Sequence, residues 1–255
     1  MRLHRPAILA SGLTVLVLLL PGCAARQPVA TPVATSAGGA ISTATLWYAA
    51  SAEQEAVYRQ TYRLAAERLE QLVAVRPPGT WAVVLDADET VLDNVAYQIW
   101  LDRHGASFST DTWQDWVERE EATPLPGAVE FLQRVRELGG MIAIVSNRRE
   151  ELRAATEANL RRHDVPWDLN LLRVDAGDKT ARWRSIADGT ASPDVPPLDI
   201  VMWLGDNILD FPGLTQAVRD AGPEAFGDFG TRFFVFPNPG YGSWEESPLP
   251  EGLGE

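Results

Sequence analysis

The chain has 255 residues, of which 45% are hydrophobic, and it carries a formal net charge of −13. This length suits one folded domain with a small accessory part, and a surface of this charge repels nucleic-acid duplexes. The single cysteine, Cys23, excludes an intramolecular disulfide and a metal site built from several thiolates.

The first 22 residues have the pattern of a bacterial signal peptide. Two arginines precede an apolar run over 7–20 that is short for a membrane span. Residues 20–23, Leu-Pro-Gly-Cys, resemble the lipobox of bacterial lipoproteins, in which the cysteine receives diacylglycerol before cleavage. We therefore predict a signal peptide over 1–22, then a lipidated N-terminus at Cys23 and a flexible linker over 23–40. Ala24 follows the cysteine, which by resemblance to sorted lipoproteins favours the outer membrane of the cell envelope. The alternative is an ordinary signal peptide with an incidental cysteine.

The remaining chain, 41–250, alternates helical and strand patterns. Ser51 and Gln54 form a capping pair before an apolar stripe with helical spacing, which predicts a helix over 52–75. Apolar runs predict strands over 83–85, 141–145, 171–174, 200–204 and 232–236, with helices over 128–138 and 150–162. This alternation predicts an α/β fold with a Rossmann-like parallel sheet and helices on both faces.

A small helical cap is predicted over 95–125, because this segment is too long for a simple crossover loop and is rich in aromatic residues. We assign 41–78 to the cap as well. Most of the aromatic side chains are expected to pack the cap against the body, and one or two to face the ends of the strands.

Two carboxylates, Asp86 and Asp88, directly follow the first strand. Open α/β sheets place their sites at this end of the strands. Asp86 can attack phosphorus and form an aspartyl phosphate, while Asp88 can protonate the leaving oxygen and later activate water. A strand followed by an acidic turn is the plainer interpretation of this motif alone.

Two further strand ends carry polar residues. Ser146 ends the second strand with a hydroxyl that can donate to a phosphate oxygen, and Arg148 is predicted to begin the next helix. Gly205 and the carboxylates of Asp206 and Asp210 follow the fourth strand. Carboxylates that converge in this way repel one another without a cation, and oxygen ligands suit Mg²⁺.

The order of these motifs resembles the haloacid dehalogenase superfamily, and within it the class C acid phosphatases, the lipoprotein e(P4) 5'-nucleotidase family. The resemblance extends over about 45–245. Besides the motifs above, it is carried by residues 46–47, 51–53, 92–94, 126–131, 146–148 and 236–245.

The resemblance implies an Mg²⁺-dependent phosphomonoesterase of the periplasm or cell surface that acts on nucleoside 5'-monophosphates and related esters. Asp86 would be the nucleophile and a metal ligand, and Asp88 the general acid/base, whose backbone carbonyl also meets the metal. Asp206 and Asp210 would complete the metal site, one of them either through water or by contacting a direct ligand instead of the metal. The other implied contacts are phosphate binding by Ser146 and Asn147 and ring binding by Trp113 and Tyr241, with Tyr97 and Trp244 as weaker candidates.

The lysine of the third motif has two candidates. A gapless overlay on the family pattern puts Arg182 opposite the catalytic lysine. Composition favours Lys179, which is the one lysine in a chain with 21 arginines. A chain that uses arginine for general cations keeps a lysine where a compact ammonium is required. We assign the catalytic and phosphate-binding role to Lys179 and keep Arg182 as the alternative.

Other classes of protein fit less well. A haloacid dehalogenase has no need of Asp88, and a phosphonatase needs a second lysine for its Schiff base. Once the signal is removed, His104 and His163 are too few for a three-histidine zinc centre. The non-enzyme alternative is a membrane-anchored lipoprotein that binds a phosphorylated ligand without catalysis. The expected partners are a small phosphomonoester and, through the lipid, the membrane; a homodimer is left open.

Overall fold

A computed structural model describes residues 39–175 and 177–249. The predicted signal peptide, the lipidation site Cys23 and all of the linker except residues 39 and 40 lie outside the described residues, so these assignments stay predictions. Among the helices that the structure describes, none combines the length and the apolar composition needed to span a bilayer.

One parallel sheet forms the centre of the fold. Its strands are β1 (Trp81–Leu85), β4 (Met141–Arg149), β5 (Leu169–Arg173), β6 (Asp199–Gly205) and β7 (Phe233–Val235). They are arranged in the order β5-β4-β1-β6-β7, so β1 is central. Two short strands, β2 (Leu92–Asp93) and β3 (Thr123–Pro124), form a separate antiparallel pair. The predicted α/β fold with a parallel sheet is confirmed, with strand ends displaced by a few residues.

The α-helices of the described residues are α1 (Thr43–Ala50), α2 (Ala52–Val73), α3 (Val95–His104), α4 (Thr110–Glu118), α5 (Ala128–Glu137), α6 (Arg153–Arg162) and α7 (Thr180–Ala187). The Ser51 hydroxyl accepts a hydrogen bond from the backbone N–H of Gln54 at 3.1 Å, as the capping pattern predicts for the start of α2. Sequence analysis did not predict α1 and α7, because eight-residue helices give little periodic signal.

The prediction that Arg148 begins a helix was wrong. The strand β4 continues to Arg149, a 3₁₀ turn occupies Glu150–Leu152, and α6 begins only after it. The extension is stabilised by pairing, because Arg149 of β4 lies opposite Arg173 of β5.

Alternate residues of β1 pack on opposite faces of the sheet. Val83 and Leu85 belong to a buried cluster with side chains of α2 and α5, whereas Ala82 and Val84 join a second cluster with α7. Successive strand side chains point to opposite faces, and each fully buried Val or Leu contributes about 1.5–3 kcal/mol. Helices therefore cover both faces, as the alternating pattern predicts.

The register of the strands brings the functional motifs to one edge. Leu85 at the end of β1 lies opposite Ile144 of β4 and Leu204 of β6. Because the three strands are parallel, the residues that follow these positions emerge side by side. Asp86, Ser146 and Asp206 are thus delivered to the same carboxyl edge of the sheet.

Candidate active site

Three carboxylates form the centre of this edge. Asp86, Asp206 and Asp210 each offer one oxygen, and the three oxygens lie within 4.8 Å of one another. Gly205 makes the approach possible, because a Cβ at this position would lie 2.3 Å from the Asp210 side chain. The close contact, rather than an unusual backbone angle, explains why glycine ends β6.

The ammonium of Lys179 lies between two of these carboxylates. Its Nζ is 2.7 Å from Asp86 Oδ1 and 2.6 Å from Asp210 Oδ1, and the side chain is only 4% exposed. The contact with Asp210 is a hydrogen bond, and the buried Asp86 Oδ1 forms a close ion pair with the same ammonium. Lys179 therefore links Asp86, the nucleophile candidate, to Asp210 within the carboxylate cluster.

Burial dominates the electrostatics of the cluster. It raises the pKa of Asp86 to about 7, because desolvation and the charges of Asp210 and Asp88 outweigh the opposing charge of Lys179. Desolvation also raises the pKa of Asp206 well above its usual value, with Asp210 and Asp86 adding to the effect. Burial lowers the pKa of Lys179, but the charges of Asp210 and Asp86 outweigh it, so the net shift is upward.

The donor set fits a hard divalent cation. One ammonium faces three carboxylates, so negative charge is in excess in a largely desolvated space. Asp86 Oδ1 contacts a single ammonium, that of Lys179, and the contact of Asp206 Oδ1 with Thr90 Oγ1 is a long 3.4 Å. These oxygens retain lone pairs for a metal, and carboxylate oxygens are the ligands that such cations prefer.

Asp88 has a different environment from Asp86. Arg148 Nη2 donates to Asp88 Oδ1 at 2.7 Å, and Arg148 Nε lies 3.0 Å from Oδ1 and 3.2 Å from Oδ2. Asn94 Nδ2 also donates to Oδ1, at 2.9 Å. Neither partner was assigned a role by sequence analysis. A buried arginine in a polar stretch such as 146–149 gives no hydropathy signal, and its partner lies 60 positions away.

Backbone carbonyls of the loop that follows Asp88 are fixed by two tyrosines of α2. The Tyr58 hydroxyl donates to the carbonyl of Glu89 and the Tyr62 hydroxyl to that of Thr90, each at 2.6 Å. Glu89 itself is buried and has a positive φ of 51°, which is unusual for a residue other than glycine. The apolar stripe of α2 predicted these tyrosines as core residues but not the use of their hydroxyls.

The remaining phosphate-binding candidates lie at the end of β4. Ser146 is fully buried, and its Oγ accepts a hydrogen bond from the backbone N–H of Arg148 at 3.1 Å, which leaves the hydroxyl proton free to donate. Asn147 is exposed, and its Oδ1 accepts from Arg182 Nη2 at 2.7 Å. Arg182 also donates to the backbone carbonyl of Ser146. The geometry therefore gives Arg182 a part in holding the loops, whereas Lys179 contacts the carboxylates.

The predicted ring-binding residues differ in their burial and in their contacts. Trp113 is half-buried, and its ring lies 5.7 Å from the guanidinium carbon of Arg148. Tyr241 is half-buried too, and its backbone N–H donates to Asn238, which itself donates to Asp206 at 2.9 Å. Tyr97 is buried and its hydroxyl is bonded to Thr112, so it connects α3 with α4. Trp244 is 43% exposed, and its indole N–H donates to the Asn238 carbonyl.

Comparison with known proteins agrees with this architecture. The profile of the family described as HAD superfamily, subfamily IIIB (Acid phosphatase) matches residues 26–244. The chain belongs to this family. A solved class C acid phosphatase from Bacillus anthracis is 35% identical to this chain. The match covers 79% of this chain and 85% of that chain, with a TM-score of 0.69. The resemblance to class C acid phosphatases is thereby confirmed.

The chain is also similar to a ligand complex of the Bacillus anthracis enzyme and to a plant glycoprotein. The Bacillus anthracis enzyme with tungstate bound is 34% identical over the same shares of the two chains, 79% and 85%, with a TM-score of 0.69. The Stem 28 kDa glycoprotein of Glycine max is 28% identical over 133 residues, which are 48% of this chain and 50% of that protein. The chain thus spans about half the length of the curated relatives that it matches.

Proposed function

We propose that this protein is an Mg²⁺-dependent phosphomonoesterase that works through an aspartyl phosphate on Asp86. The observation that carries the proposal is the position of Asp86. Its Oδ1 is buried and lies 2.7 Å from the ammonium of Lys179 within a cluster of three carboxylates. A carboxylate in this setting has a lone pair available and a cation beside it.

In the first half-reaction an oxygen of Asp86 attacks the phosphorus of the ester. The new oxygen–phosphorus bond forms as the bond to the alcohol oxygen breaks, and Asp88 gives its proton to that oxygen. Ser146 donates its hydroxyl proton to a phosphate oxygen, and the Lys179 ammonium stabilises the charge that develops between phosphate and nucleophile.

In the second half-reaction Asp88, now ionised, takes a proton from a water molecule. The oxygen of this water attacks the phosphorus of the aspartyl phosphate, and the bond between phosphorus and Asp86 breaks. The products are inorganic phosphate and the original carboxylate of Asp86, while Asp88 holds the proton for the next cycle. Each proton taken up in one step is returned in the other, so no further reactant is required.

Asp86, Asp206 and Asp210 are the side chains proposed to hold Mg²⁺, with the backbone carbonyl of Asp88. When bound, Mg²⁺ would neutralise excess negative charge and orient a phosphate oxygen toward the nucleophile. Asp210 already accepts hydrogen bonds from Lys179 at 2.6 Å and from the Asn207 backbone at 2.9 Å. Because both oxygens of Asp210 already have protein donors, Asp210 is the residue of the three that would act through water.

Nucleoside 5'-monophosphates are the proposed substrates. Tyr241 is linked to the carboxylate cluster through Asn238, and Trp113 is linked to Asp88 through Arg148. Trp113 makes its link through the ring and Tyr241 through its backbone N–H, and these two half-buried aromatic residues are the side chains proposed to stack on a base. The similar Bacillus anthracis enzyme has a structure with tungstate, a tetrahedral oxyanion of the same shape as phosphate.

The deciding experiment is the release of phosphate from a chromogenic monoester, with Mg²⁺ supplied and then chelated. Asp86→Asn is expected to abolish turnover, because an amide cannot form the acyl phosphate, while Asp188→Asn, an exposed aspartate after α7, keeps full activity. Near-normal activity in Asp86→Asn would refute the mechanism. Binding of phosphate without any turnover in the wild type would favour the non-catalytic lipoprotein instead.

The proposed location is the outer membrane of the cell envelope, through a lipid on Cys23. The support is the lipobox-like sequence over 20–23 and the absence of any other cysteine in the chain. Lipidation with two or more acyl chains gives stable anchoring. The linker over 23–40 would then carry the phosphatase domain away from the bilayer surface.

A further inference from the structure

We propose that Arg148 is a positioning residue that, together with Asn94, fixes the carboxylate of Asp88 so that Oδ2 alone meets the leaving oxygen. The inference rests on the proposed function, because it assigns a working atom to the acid/base residue. The sequence did not predict a contact between Arg148 and Asp88. Neither Arg148 nor Asn94 takes part in the proposed reaction steps.

The two oxygens of Asp88 have unequal hydrogen bonding. Oδ1 accepts from Arg148 Nη2 at 2.7 Å, from Asn94 Nδ2 at 2.9 Å and from Arg148 Nε at 3.0 Å. Oδ2 has only a shared contact with Arg148 Nε, at 3.2 Å. Three donors occupy the lone pairs of Oδ1, so the oxygen with capacity to carry a proton is Oδ2.

Arg148 is itself held on every side. Its side chain is 1% exposed, against 15% for Asp88. Nη1 donates to Thr156 Oγ1 of α6 at 3.3 Å, and Nη2 also lies 3.4 Å from Asn94 Oδ1. All three guanidinium nitrogens contact protein oxygens, and two of them contact Asp88, so the group is not available to bind the substrate phosphate.

The cap helix α4 supports both partners of Asp88. Trp116 donates its indole N–H to Asn94 Oδ1 at 2.8 Å, and the ring of Trp113 lies 5.7 Å from the guanidinium carbon of Arg148. The first contact fixes which end of the Asn94 amide faces Asp88, and the second places a π face beside a desolvated cation. The cap therefore reaches the acid/base residue through two indoles.

A planar fork is needed for this arrangement. Arginine can present Nε and Nη2 to one carboxylate together, whereas a lysine ammonium makes a single point contact and leaves the carboxylate free to rotate. Arg148→Lys therefore keeps the charge and removes the orientation. This makes it the variant that separates positioning from simple neutralisation.

The test compares kcat/KM for two esters, p-nitrophenyl phosphate with a good leaving group and an alkyl phosphate with a poor one. Protonation by Asp88 matters most for the poor leaving group. Arg148→Lys is therefore expected to lose about tenfold or more in kcat/KM on the alkyl ester beyond its loss on the aryl ester, a part of the 10²–10⁴ that general acid catalysis contributes. Arg134→Lys is the matched control, because Arg134 holds Glu70 through the same two donor atoms, on the surface.

Two further variants keep the test decisive. In an Asp88→Asn background, Arg148→Lys should cause no additional selective loss on the alkyl ester, because the group that it positions is gone. If Arg148→Lys does not fold, Asn94→Ser removes one donor to Oδ1 and should give the same selectivity in weaker form.

The outcomes separate this inference from the proposed function. Equal losses on both esters, or the same selective loss in the Asp88→Asn background, would mean that Arg148 has a structural role only. A wild-type protein that hydrolyses neither ester would overturn the proposed function, and this inference with it. A selective loss on the alkyl ester that appears when Asp88 is present, and not in the Asp88→Asn background, would support both this inference and the proposed function.

Discussion

Replacement of Lys179 tests the centre of the site most directly. Its ammonium lies 2.7 Å from Asp86 and 2.6 Å from Asp210, and the side chain is 4% exposed. Lys179→Met removes one partner of a buried ion pair, which costs about 3–5 kcal/mol when the remaining charge is left uncompensated. We expect a loss of this size in the free energy of unfolding of the metal-free protein at pH 8, where the carboxylates are ionised in the unfolded chain.

Lys179→Arg keeps the charge but changes its shape. A guanidinium is larger and planar, and the space between Asp86 and Asp210 accommodates a compact ammonium at contact distance from both. We therefore expect kcat to fall by about 10² or more, the scale of losing one preorganised electrostatic donor. The assay is phosphate release under saturating Mg²⁺, with urea unfolding to show that the variant is folded.

The control for both variants is Arg182→Lys, three residues further along. Arg182 donates to the Asn147 side chain and to the Ser146 carbonyl, so a lysine there should weaken the loop packing and cost much less activity. The opposite ranking would refute the reasoning. Near wild-type turnover in Lys179→Arg together with an inactive Arg182→Ala would show that the third motif operates with arginine.

Three further results are expected. The pKa of Asp86 is raised from 3.8 to about 7, so the stability that its protonated form gives to the metal-free fold is complete below pH 3.8 and lost as pH rises through 7. The urea midpoint should accordingly be lower at pH 8 than at pH 5, and Mg²⁺ should reduce the difference. Tyr62→Phe leaves the buried Thr90 carbonyl without its donor and should destabilise the protein by about 1–3 kcal/mol in urea unfolding. Cys23→Ser should move the protein from the membrane fraction to the soluble fraction with unchanged specific activity; a wild-type protein without lipid by mass spectrometry would contradict this.

The sheet and the position of its acidic edge could be predicted from the sequence because both follow from local patterns. Apolar runs mark the strands, and the carboxyl ends of parallel strands share one edge; the structure shows that β1 and β6 are neighbours there, which brings Asp86 and Asp206 side by side. The contact of Arg148 with Asp88 could not be predicted in this way. It joins residues 60 positions apart, and it depends on a strand extension that the polar sequence over 146–149 does not suggest.

The choice between Lys179 and Arg182 shows the same limit at short range. Residues three apart occupy one side of a helix start, so periodicity cannot separate them. Composition favoured Lys179, and the described geometry agrees: Lys179 contacts two carboxylates, whereas Arg182 contacts carbonyls. The catalytic assignment itself stays a prediction until the variants are measured.

The two aspartates of the first motif lie in different environments, although only one residue separates them. Asp86 is paired with a compact ammonium and lies among other carboxylates, which suits a nucleophile that must also meet a metal. Asp88 Oδ1 accepts hydrogen bonds from Arg148 and Asn94, whereas Oδ2 has one long contact with Arg148. This arrangement suits a group that gives up a proton and takes it back. Two carboxylates of the same kind can take different catalytic roles when their neighbours differ. The proposed roles of Asp86 and Asp88 therefore depend on the neighbouring Lys179 and Arg148 as much as on the aspartates themselves.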